Sequence, residues 1–201
     1  MTTRRTTSPA RARKRKKTAR PTDAVTTYAH RAITGEIVAG RAVRLACQRH
    51  LTDIDRQRTS AFPYFWDADA AEKLIAFFPT FLTLENGDPF TLPGWLQFAF
   101  GSMFGWKRTS DGKRKYQVGY FETGKGSGKT PGGAGVGLFC LRFDDEPSGQ
   151  IYSAAFDKGQ ASIMLDDAIR MASASPDLAE IFNVGTYNIA DPASGSFFRA
   201  V

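Results

Sequence analysis

The sequence predicts an α/β fold in which a parallel sheet follows a helical N-terminal region. Two observations support this fold class. A glycine-rich turn at residues 123–130 stands between the strand-like segment 115–121 and an apolar run. A second such unit follows, with "QIYSAA" from residue 150 as a buried strand and a helical pattern after Asp157. Because consecutive strand–helix units need crossover connections, we expect the two strands to be parallel, with a right-handed crossover.

The chain before the glycine-rich turn has helical periodicity. Apolar residues recur at spacings of three and four through residues 23–57, and a break at Gly35 predicts two helices. "DADAAEKLIAFF" predicts a third helix, capped by Asp67 or Asp69. The apolar residues 95–104 predict a fourth helix.

The second strand–helix unit also has recognisable boundaries. Asp157 and Gln160 have the spacing of a capping box. The helix that follows has an apolar face that starts at Ala161 and should end near Pro176. Asp166 and Asp167 fall on its solvent side.

Length and composition favour one globular domain, with or without a helical appendage, since domains typically have about 100–200 residues and this chain has 201. The sequence has no apolar run of 18 residues, so we expect a soluble protein. Cys47 and Cys140 are expected to be free, buried thiols in a reducing compartment. Cys47 and His50 form a C-x-x-H pair, but the chain has one other Cys and one other His, so a four-ligand structural zinc site is disfavoured.

The positive net charge of +7 comes entirely from the first 20 residues, which hold nine Lys or Arg and no acidic residue. The rest of the chain has 18 basic and 20 acidic residues, a balance of −2. We expect this tail to be disordered. It could hold phosphate backbones through counterion release, or act as a solubilising tail with no specific partner. A transit peptide is disfavoured, because the tail lacks an apolar face.

The segment "TGKGSGKT" (residues 123–130) is close to the phosphate-loop motif G-x-x-x-x-G-K-S/T. In that motif, backbone N–H groups surround the phosphates, the lysine contacts the outer ones and the hydroxyl holds Mg²⁺. The assigned loop residues are Gly124, Lys125, Gly126, Ser127, Gly128, Lys129 and Thr130. The match departs from the motif at its first glycine, where Thr123 stands. The alternative is a flexible glycine loop with a surface lysine.

The helix predicted after this loop contains Pro131 in its first turn, where a missing N–H costs little. Four glycines follow within the next six residues (Gly132, Gly133, Gly135 and Gly137). Each would cost about 1 kcal/mol relative to alanine in a helix interior. Such a helix is either weak or packed unusually close to its neighbours.

"GLFCLRFDDE" imitates the strand that supplies the acidic residues of ATPases. We reject that interpretation of Asp144, Asp145 and Glu146, because the residues before them are needed for the phosphate-loop helix. No room remains for a return to a second parallel strand.

Five blocks follow one another in the sequence: "DAVTTYAHRAITGEIVAGRAVRLACQRHLTD", "FPYFWDADAAEKLIAFFP", "PFTLPGWLQFAFGSMFGWKR", "YFETGKGSGKTPGGAGVGL" and "IYSAAFDKGQASIMLDDAIRMASASPDL". In order and spacing they resemble the N-terminal part of the large terminase subunit of tailed bacteriophages. The likeness extends from about residue 23 to the end. "FGWKR" and the first block carry more specificity than the glycine-rich loop.

The resemblance implies an incomplete P-loop NTPase-like sheet and an ATP-driven motor that threads phage DNA into a prohead. The implied cofactors are ATP and Mg²⁺. The implied partners are double-stranded phage DNA, the small terminase subunit and the portal of the prohead. A homo-oligomeric ring is implied for full-length members, and no membrane is involved. The implied location is the cytoplasm of the infected bacterial host.

By position, the resemblance places Lys129 on the β- and γ-phosphates and Thr130 on Mg²⁺. Lys125 matches a basic residue that the family often has early in this loop. Gln97, or the neighbouring Trp95, falls in the region that meets the adenine. In the family the glutamine directly follows the tryptophan, whereas Leu96 does so here.

The family's acidic pair comes after the segment that corresponds to "GSFFRA", near the end of this sequence. The catalytic residues are therefore unknown, and phosphoryl transfer depends on such groups. We expect a disordered tail (1–22), a helical region (23–115) and a partial ATPase domain (116–201) without the acidic strand and the nuclease domain. The leading hypothesis is a truncated or partial large terminase subunit. The alternatives are a nucleotide- or DNA-binding module without hydrolysis and an inactive prophage remnant.

Overall fold

The computed structural model describes residues 23–201, and the predicted basic tail (1–22) lies outside them. The helices are α1 (Ala24–Ile33), α2 (Arg41–Arg56), α3 (Ala68–Phe81), α4 (Gly94–Gly105), α5 (Lys129–Arg142), α6 (Lys158–Ala174) and α7 (Pro176–Ile181). The strands are β1 (Tyr64–Trp66), β2 (Trp106–Arg108), β3 (Gln150–Ser153), β4 (Asn183–Val184), β5 (Asn188–Asp191) and β6 (Ser196–Ala200). The predicted α/β fold class is confirmed.

The four helices predicted before the glycine-rich turn are all present. Asp23 caps α1, with its Oδ1 accepting from the Thr26 amide at 2.8 Å. Of the two candidate caps for α3, Asp67 is the one, and it accepts from the Ala70 amide at 3.1 Å. A small cluster packs α1 and α2 against α3 and α4; its buried members are Val25, Ala29, Ala32, Cys47, Ala71 and Phe98.

The antiparallel pair β1–β2 was not predicted from the sequence. Trp66 is opposite Trp106 in its register. The two indole rings lie 5.5 Å apart between centroids, and both contact the ring of His50. The aromatic entry to α3 is therefore a short strand that closes the helical region against α2.

The main sheet has the strand order β3-β6-β5-β4. The β3–β6 pair is parallel, with Gln150 opposite Phe197, whereas the pairs of β6 with β5 and of β5 with β4 are antiparallel. The predicted strand at residue 150 is confirmed, but it lies at the edge of the sheet and is partly exposed rather than buried.

The glycine-containing helix α5 is complete and central to the larger core. Its glycines are contact points. A Cβ at Gly135 would lie 2.4 Å from the Phe78 ring, and one at Gly137 would lie 2.7 Å from the Phe198 ring. The close packing predicted as one way to stabilise such a helix is thus present, against both the sheet and α3.

The prediction of a strand at residues 115–121 is wrong. This segment and the loop after it, which we call the arm (residues 115–128), contain no strand. The observed parallel pair is instead β3 with β6. The arm runs over the surface, with Val118 and Tyr120 exposed at 86% and 84%. Its aromatic and β-branched content matches a strand, but no neighbouring strand of the described chain pairs with it.

The boundaries of the helix in the second strand–helix unit were predicted correctly. Asp157 caps α6 by accepting from the Gln160 amide at 2.9 Å, and α6 ends at Ala174, two residues before Pro176. Asp166 is exposed on α6 as predicted, whereas Asp167 is half-buried and ion-paired with Arg170 at 3.2 Å. No described helix is long and apolar enough to cross a bilayer.

Candidate functional site

The glycine-rich loop ends in an open helix N-terminus. Gly126 and Gly128 have φ angles of +77° and +80°, a conformation that glycine adopts without strain. Gly128 is the N-cap of α5, and no side chain caps the helix there. The free N–H groups and the partial positive charge of a helix N-terminus favour an anion. The loop is therefore shaped as a receptor for a negatively charged group.

Lys129, the first residue of α5, is folded back over the loop. Its Nζ donates to the carbonyl oxygen of Thr123 at 3.1 Å. The Thr123 hydroxyl is hydrogen-bonded to the Ser127 hydroxyl across the loop. Thr123, which stands where the motif has its first glycine, thus ties the two sides of the loop together and holds the lysine at its mouth.

The remaining loop residues predicted for the site differ in exposure. Lys125 is exposed at the tip of the loop, and the space around Gly124 is open. Thr130 is half-buried, and its hydroxyl forms no hydrogen bond within the described residues. Lys129 and Thr130 line one side of an otherwise apolar cavity of about 410 Å³ between α4 and α5.

A second cavity, of about 560 Å³, lies between α2, α4 and the arm. Trp95 and Thr123 both line it, so the cavity reaches from the start of α4 to the start of the glycine-rich loop. Gln97 lines neither cavity. Its Nε2 donates to the Leu92 carbonyl at 2.7 Å, which fixes the turn before α4.

The acidic residues after α5 lie at the opposite end of that helix from Lys129. The helix has 14 residues, so its ends are about 21 Å apart. Asp144 is ion-paired with Arg114 at 2.7 Å, and Asp145 lies 3.7 Å from Lys73. Burial raises the pKa of Asp144, while Arg114 acts in the opposite direction. The interpretation of "GLFCLRF" as helix is confirmed, and its acids lie away from the loop.

Cys47 and His50, the C-x-x-H pair, are both buried, and both ring nitrogens of His50 have partners within the protein. Burial raises the pKa of the Cys47 thiol to about 11. The His50 ring accepts from Trp106 Nε1 at Nδ1 and contacts the Thr26 hydroxyl at Nε2, each at 3.0 Å. No group of three or more potential metal ligands occurs within residues 23–201. Both cysteines are free, with Cys47 buried and Cys140 partly buried.

Two ion pairs with buried carboxylates were not found from the sequence. Asp53 of α2 pairs with Lys115 at the start of the arm at 2.7 Å. Asp191 at the end of β5 pairs with Arg142 at the end of α5 at 2.9 Å. The partners are 62 and 49 positions apart, and no local pattern marks such pairs.

Comparisons with known proteins identify the family and support the fold. A family model described as "Terminase large subunit, ATPase domain" matches residues 94–200, more than half of the chain. No curated protein matches the sequence at a significant level. The chain is similar in structure to the HK97 bacteriophage large terminase, with a TM-score of 0.55 and 22% sequence identity over 65% of this chain. It spans 27% of the length of that protein. The chain belongs to the family of terminase large subunit ATPase domains.

Proposed function

We propose that residues 123–130 and the start of α5 bind ATP with Mg²⁺, as the nucleotide-binding part of a phage DNA-packaging motor. The observation that carries the proposal is the uncapped start of α5, where Gly126 and Gly128 open the backbone and Lys129 lies across the mouth. Membership of a family of ATPase domains supports the nature of the anion.

In this proposal, the N–H groups of Gly124, Lys125, Gly126, Ser127 and Gly128 face the phosphates. Lys129 exchanges the Thr123 carbonyl for the outer phosphate oxygens, a charge-assisted contact that is stronger than its bond to a neutral carbonyl. Lys125 adds a second cation from the loop tip. The first turn of α5 contains no acidic residue that would oppose the anion.

The Thr130 hydroxyl fits the role of a Mg²⁺ ligand. It has no other partner within the described residues and stands beside Lys129. Mg²⁺ prefers oxygen ligands and is commonly held by one or two protein groups together with phosphates and water. When bound, the ion would neutralise charge on the phosphates. Within residues 23–201, Thr130 is the protein ligand that we propose.

The base of the nucleotide has a separate place in this proposal. The cavity that joins Trp95 to Thr123 is mostly aromatic and apolar, as planar ligands prefer. We propose that Trp95 contacts the adenine there. Gln97 would have an indirect role, because its side chain fixes the turn at Leu92 that precedes Trp95.

We propose further that this stretch of chain binds ATP but turns it over slowly. The cavity beside Thr130 has no acidic residue in its lining, and Asp144, Asp145 and Glu146 lie at the far end of α5. Water activation in phosphoryl transfer needs a positioned polar or acidic group. The second candidate function for residues 23–201 alone is therefore nucleotide binding without hydrolysis.

The wider setting comes from the family and forms part of the proposal. It comprises double-stranded phage DNA, the small terminase subunit, the portal of the prohead and a homo-oligomeric ring, in the cytoplasm of the infected bacterial host. These belong to complete large subunits, and this chain spans 27% of the HK97 large terminase.

Binding of Mg-ATP to the Lys129→Ala variant tests the proposal. A charge-assisted contact contributes roughly 1.5–3 kcal/mol, so the affinity should fall about tenfold to a hundredfold. Lys158→Ala is the matched control, because Lys158 also opens a helix, but one whose N-terminus is capped by Asp157. Calorimetry would measure both affinities. Equal affinities for the two variants, or no binding by the unmutated chain, would favour the inactive remnant.

A second measurement tests the assignment of the acids. Asp145→Ala together with Glu146→Ala should leave the Mg-ATP affinity within about twofold, since both side chains are exposed and follow the end of α5 opposite Lys129, and the ends of that helix are about 21 Å apart. Phosphate release by the unmutated chain should stay near background. Turnover at the roughly 1–100 s⁻¹ of working kinases that these substitutions abolish would return the acids to the active site.

A further inference from the structure

The arm, whose last residues belong to the glycine-rich loop, is fixed at its start by an ion pair with a buried carboxylate. Lys115 Nζ lies 2.7 Å from Asp53 Oδ2, and the Lys115 amide donates to the Trp106 carbonyl at 2.8 Å. The side chain of Asp53 is 1% exposed and that of Lys115 is 15% exposed. Lys115 is therefore held by both its main chain and its side chain.

Aromatic rings surround the same ammonium group. Its Nζ lies 4.5–5.4 Å from four ring centroids, those of Phe62, Tyr64, Trp106 and Tyr116. A cation over ring faces is attracted by their quadrupoles, and more strongly where water is excluded. The rings come from three separate segments of the chain, so Lys115 joins α2, the β1–β2 pair and the arm at one point.

Beyond Lys115, the arm has little to hold it. Residues 116–127 form no backbone–backbone hydrogen bond to any part of the described chain. Side chains make their contacts with other parts of the chain, among them Arg49 over the Tyr116 ring at 5.5 Å, Phe121 edge-on to Phe100 at 5.5 Å, and Lys129 Nζ on the Thr123 carbonyl at 3.1 Å. A strand in this position would be held by a ladder of hydrogen bonds. The arm has an anchor instead.

We propose that the Asp53–Lys115 ion pair positions the glycine-rich loop for its nucleotide. In this role, α2 sets where the arm starts, and through the arm it sets where Thr123 and Lys129 lie. Lys115 and Asp53 line neither of the two cavities that we propose for the nucleotide, so both are positioning residues. The inference rests on the proposed nucleotide function of residues 123–130 and adds a control point outside the motif.

Lys115→Met is the informative substitution. It keeps a long apolar stem that packs well on aromatic rings and removes the charge. Asp53 stays paired, because Arg56 also contacts it, at 2.7 Å. The variant should therefore fold. Lys115→Arg is the conservative rescue, and Lys113→Met is the matched control, because Lys113 is exposed and its side chain has no ion pair within the described residues.

A spin label on the arm reports position without requiring nucleotide. Val118→Cys places the label on an 86% exposed residue of the arm, and Leu45→Cys places a reference label on an exposed residue of α2. Burial raises the pKa values of Cys47 and Cys140 to about 11 and about 12, so the native thiols should not take the label.

In Lys115→Met, we expect the label at position 118 to become several-fold more mobile while the label at position 45 is unchanged. The Mg-ATP affinity should fall about tenfold, since small misplacements of a binding group have large effects. Lys115→Arg should keep most of the order at position 118 and most of the Mg-ATP affinity, and Lys113→Met should change neither quantity.

An unchanged affinity and an unchanged label at position 118 in a folded Lys115→Met variant would overturn the proposal. So would equal loosening at positions 118 and 45, which would show a general structural role. If the unmutated chain binds no Mg-ATP, the proposed nucleotide function fails, and the two labels still decide whether Lys115 anchors the arm.

Discussion

Arg142 Nε lies 2.9 Å from Asp191 Oδ2, and the Asp191 side chain is completely buried. The same carboxylate accepts hydrogen bonds from the Ala193 amide at 3.0 Å and the Ser194 hydroxyl at 2.8 Å. Asp191 thus joins the end of α5 to the turn between β5 and β6. At the end of α5 opposite the glycine-rich loop, this one buried carboxylate therefore has three partners, Arg142, Ala193 and Ser194.

Asp191→Ala should lower the free energy of unfolding by about 3 kcal/mol or more, because removing one partner of a buried ion pair strands the other groups. Urea denaturation followed by circular dichroism would measure it. The control is Asp166→Ala on the exposed face of α6, which should stay within about 0.5 kcal/mol. Similar losses of unfolding free energy for both variants would mean that the buried contacts of Asp191 add no more stability than an exposed carboxylate does.

Gly135→Ala should destabilise the protein even though alanine favours helix. The new Cβ would lie 2.4 Å from the Phe78 ring and 2.9 Å from Leu82, both in the core. Overpacking of this kind typically costs about 1–3 kcal/mol. The gain in helix propensity is about 1 kcal/mol. Gly124→Ala, where the added Cβ meets open space, is the control for stability. A more stable Gly135→Ala variant would show that α5 can move away from α3.

Stability should fall as the pH drops below the ordinary pKa of histidine. Burial lowers the pKa of His50 from 6.5 to about 4 in the folded protein. Between these values the unfolded chain binds a proton that the folded chain refuses, so the stabilisation is complete above about pH 6.5 and is lost toward pH 4.

From pH 7.5 to pH 5.0, His50 should account for a loss of about 2 kcal/mol. Denaturant titrations at the two pH values, on the unmutated chain and on His50→Gln, would isolate this loss. His30→Gln is the control, because His30 is exposed and is the other histidine of the chain. An equal pH dependence in the His50→Gln variant would contradict the assignment.

Deleting residues 2–20 should remove most of the salt-sensitive affinity for DNA. The deletion takes away nine cations and leaves a formal balance of −2 in the rest of the chain. Counterion release makes log affinity linear in log salt, with a slope set by the number of phosphates contacted. A tail with the same residues in scrambled order should keep the slope. An unchanged slope after deletion would place the phosphate contacts on the folded part.

Local signals in the sequence were enough for the helices and for the loop. The caps of α3 and α6, at Asp67 and Asp157, are short-range patterns, and each was found where the structure has it. The loop residues 124–130 were also assigned together. The helix α5 was predicted in spite of its glycines, because the loop before it requires a helix there.

Long-range contacts explain where the sequence analysis failed. The β-like composition of residues 115–121 led to a predicted strand, but strand formation needs a partner at ladder distance and none is present among the described residues. Part of that composition serves another purpose, since Tyr116 belongs to the ring of aromatics around Lys115. Its other members are Trp106, ten positions before Tyr116, and Phe62 and Tyr64, which are more than 50 positions away. Composition alone does not distinguish aromatic residues that form a strand from those that pack around a cation.

The glycines of α5 make the proposed nucleotide site dependent on the fold of the whole domain. A peptide with this sequence would be a poor helix in water, because four glycines within six residues oppose helix formation. The helix therefore exists through its contacts with Phe78, Phe100 and Phe198. The end of α5 that we propose to bind the phosphates is formed only while those contacts last. Ligand binding and global unfolding are then linked equilibria, and Mg-ATP at a hundred times its Kd should stabilise the entire fold by about 2.7 kcal/mol.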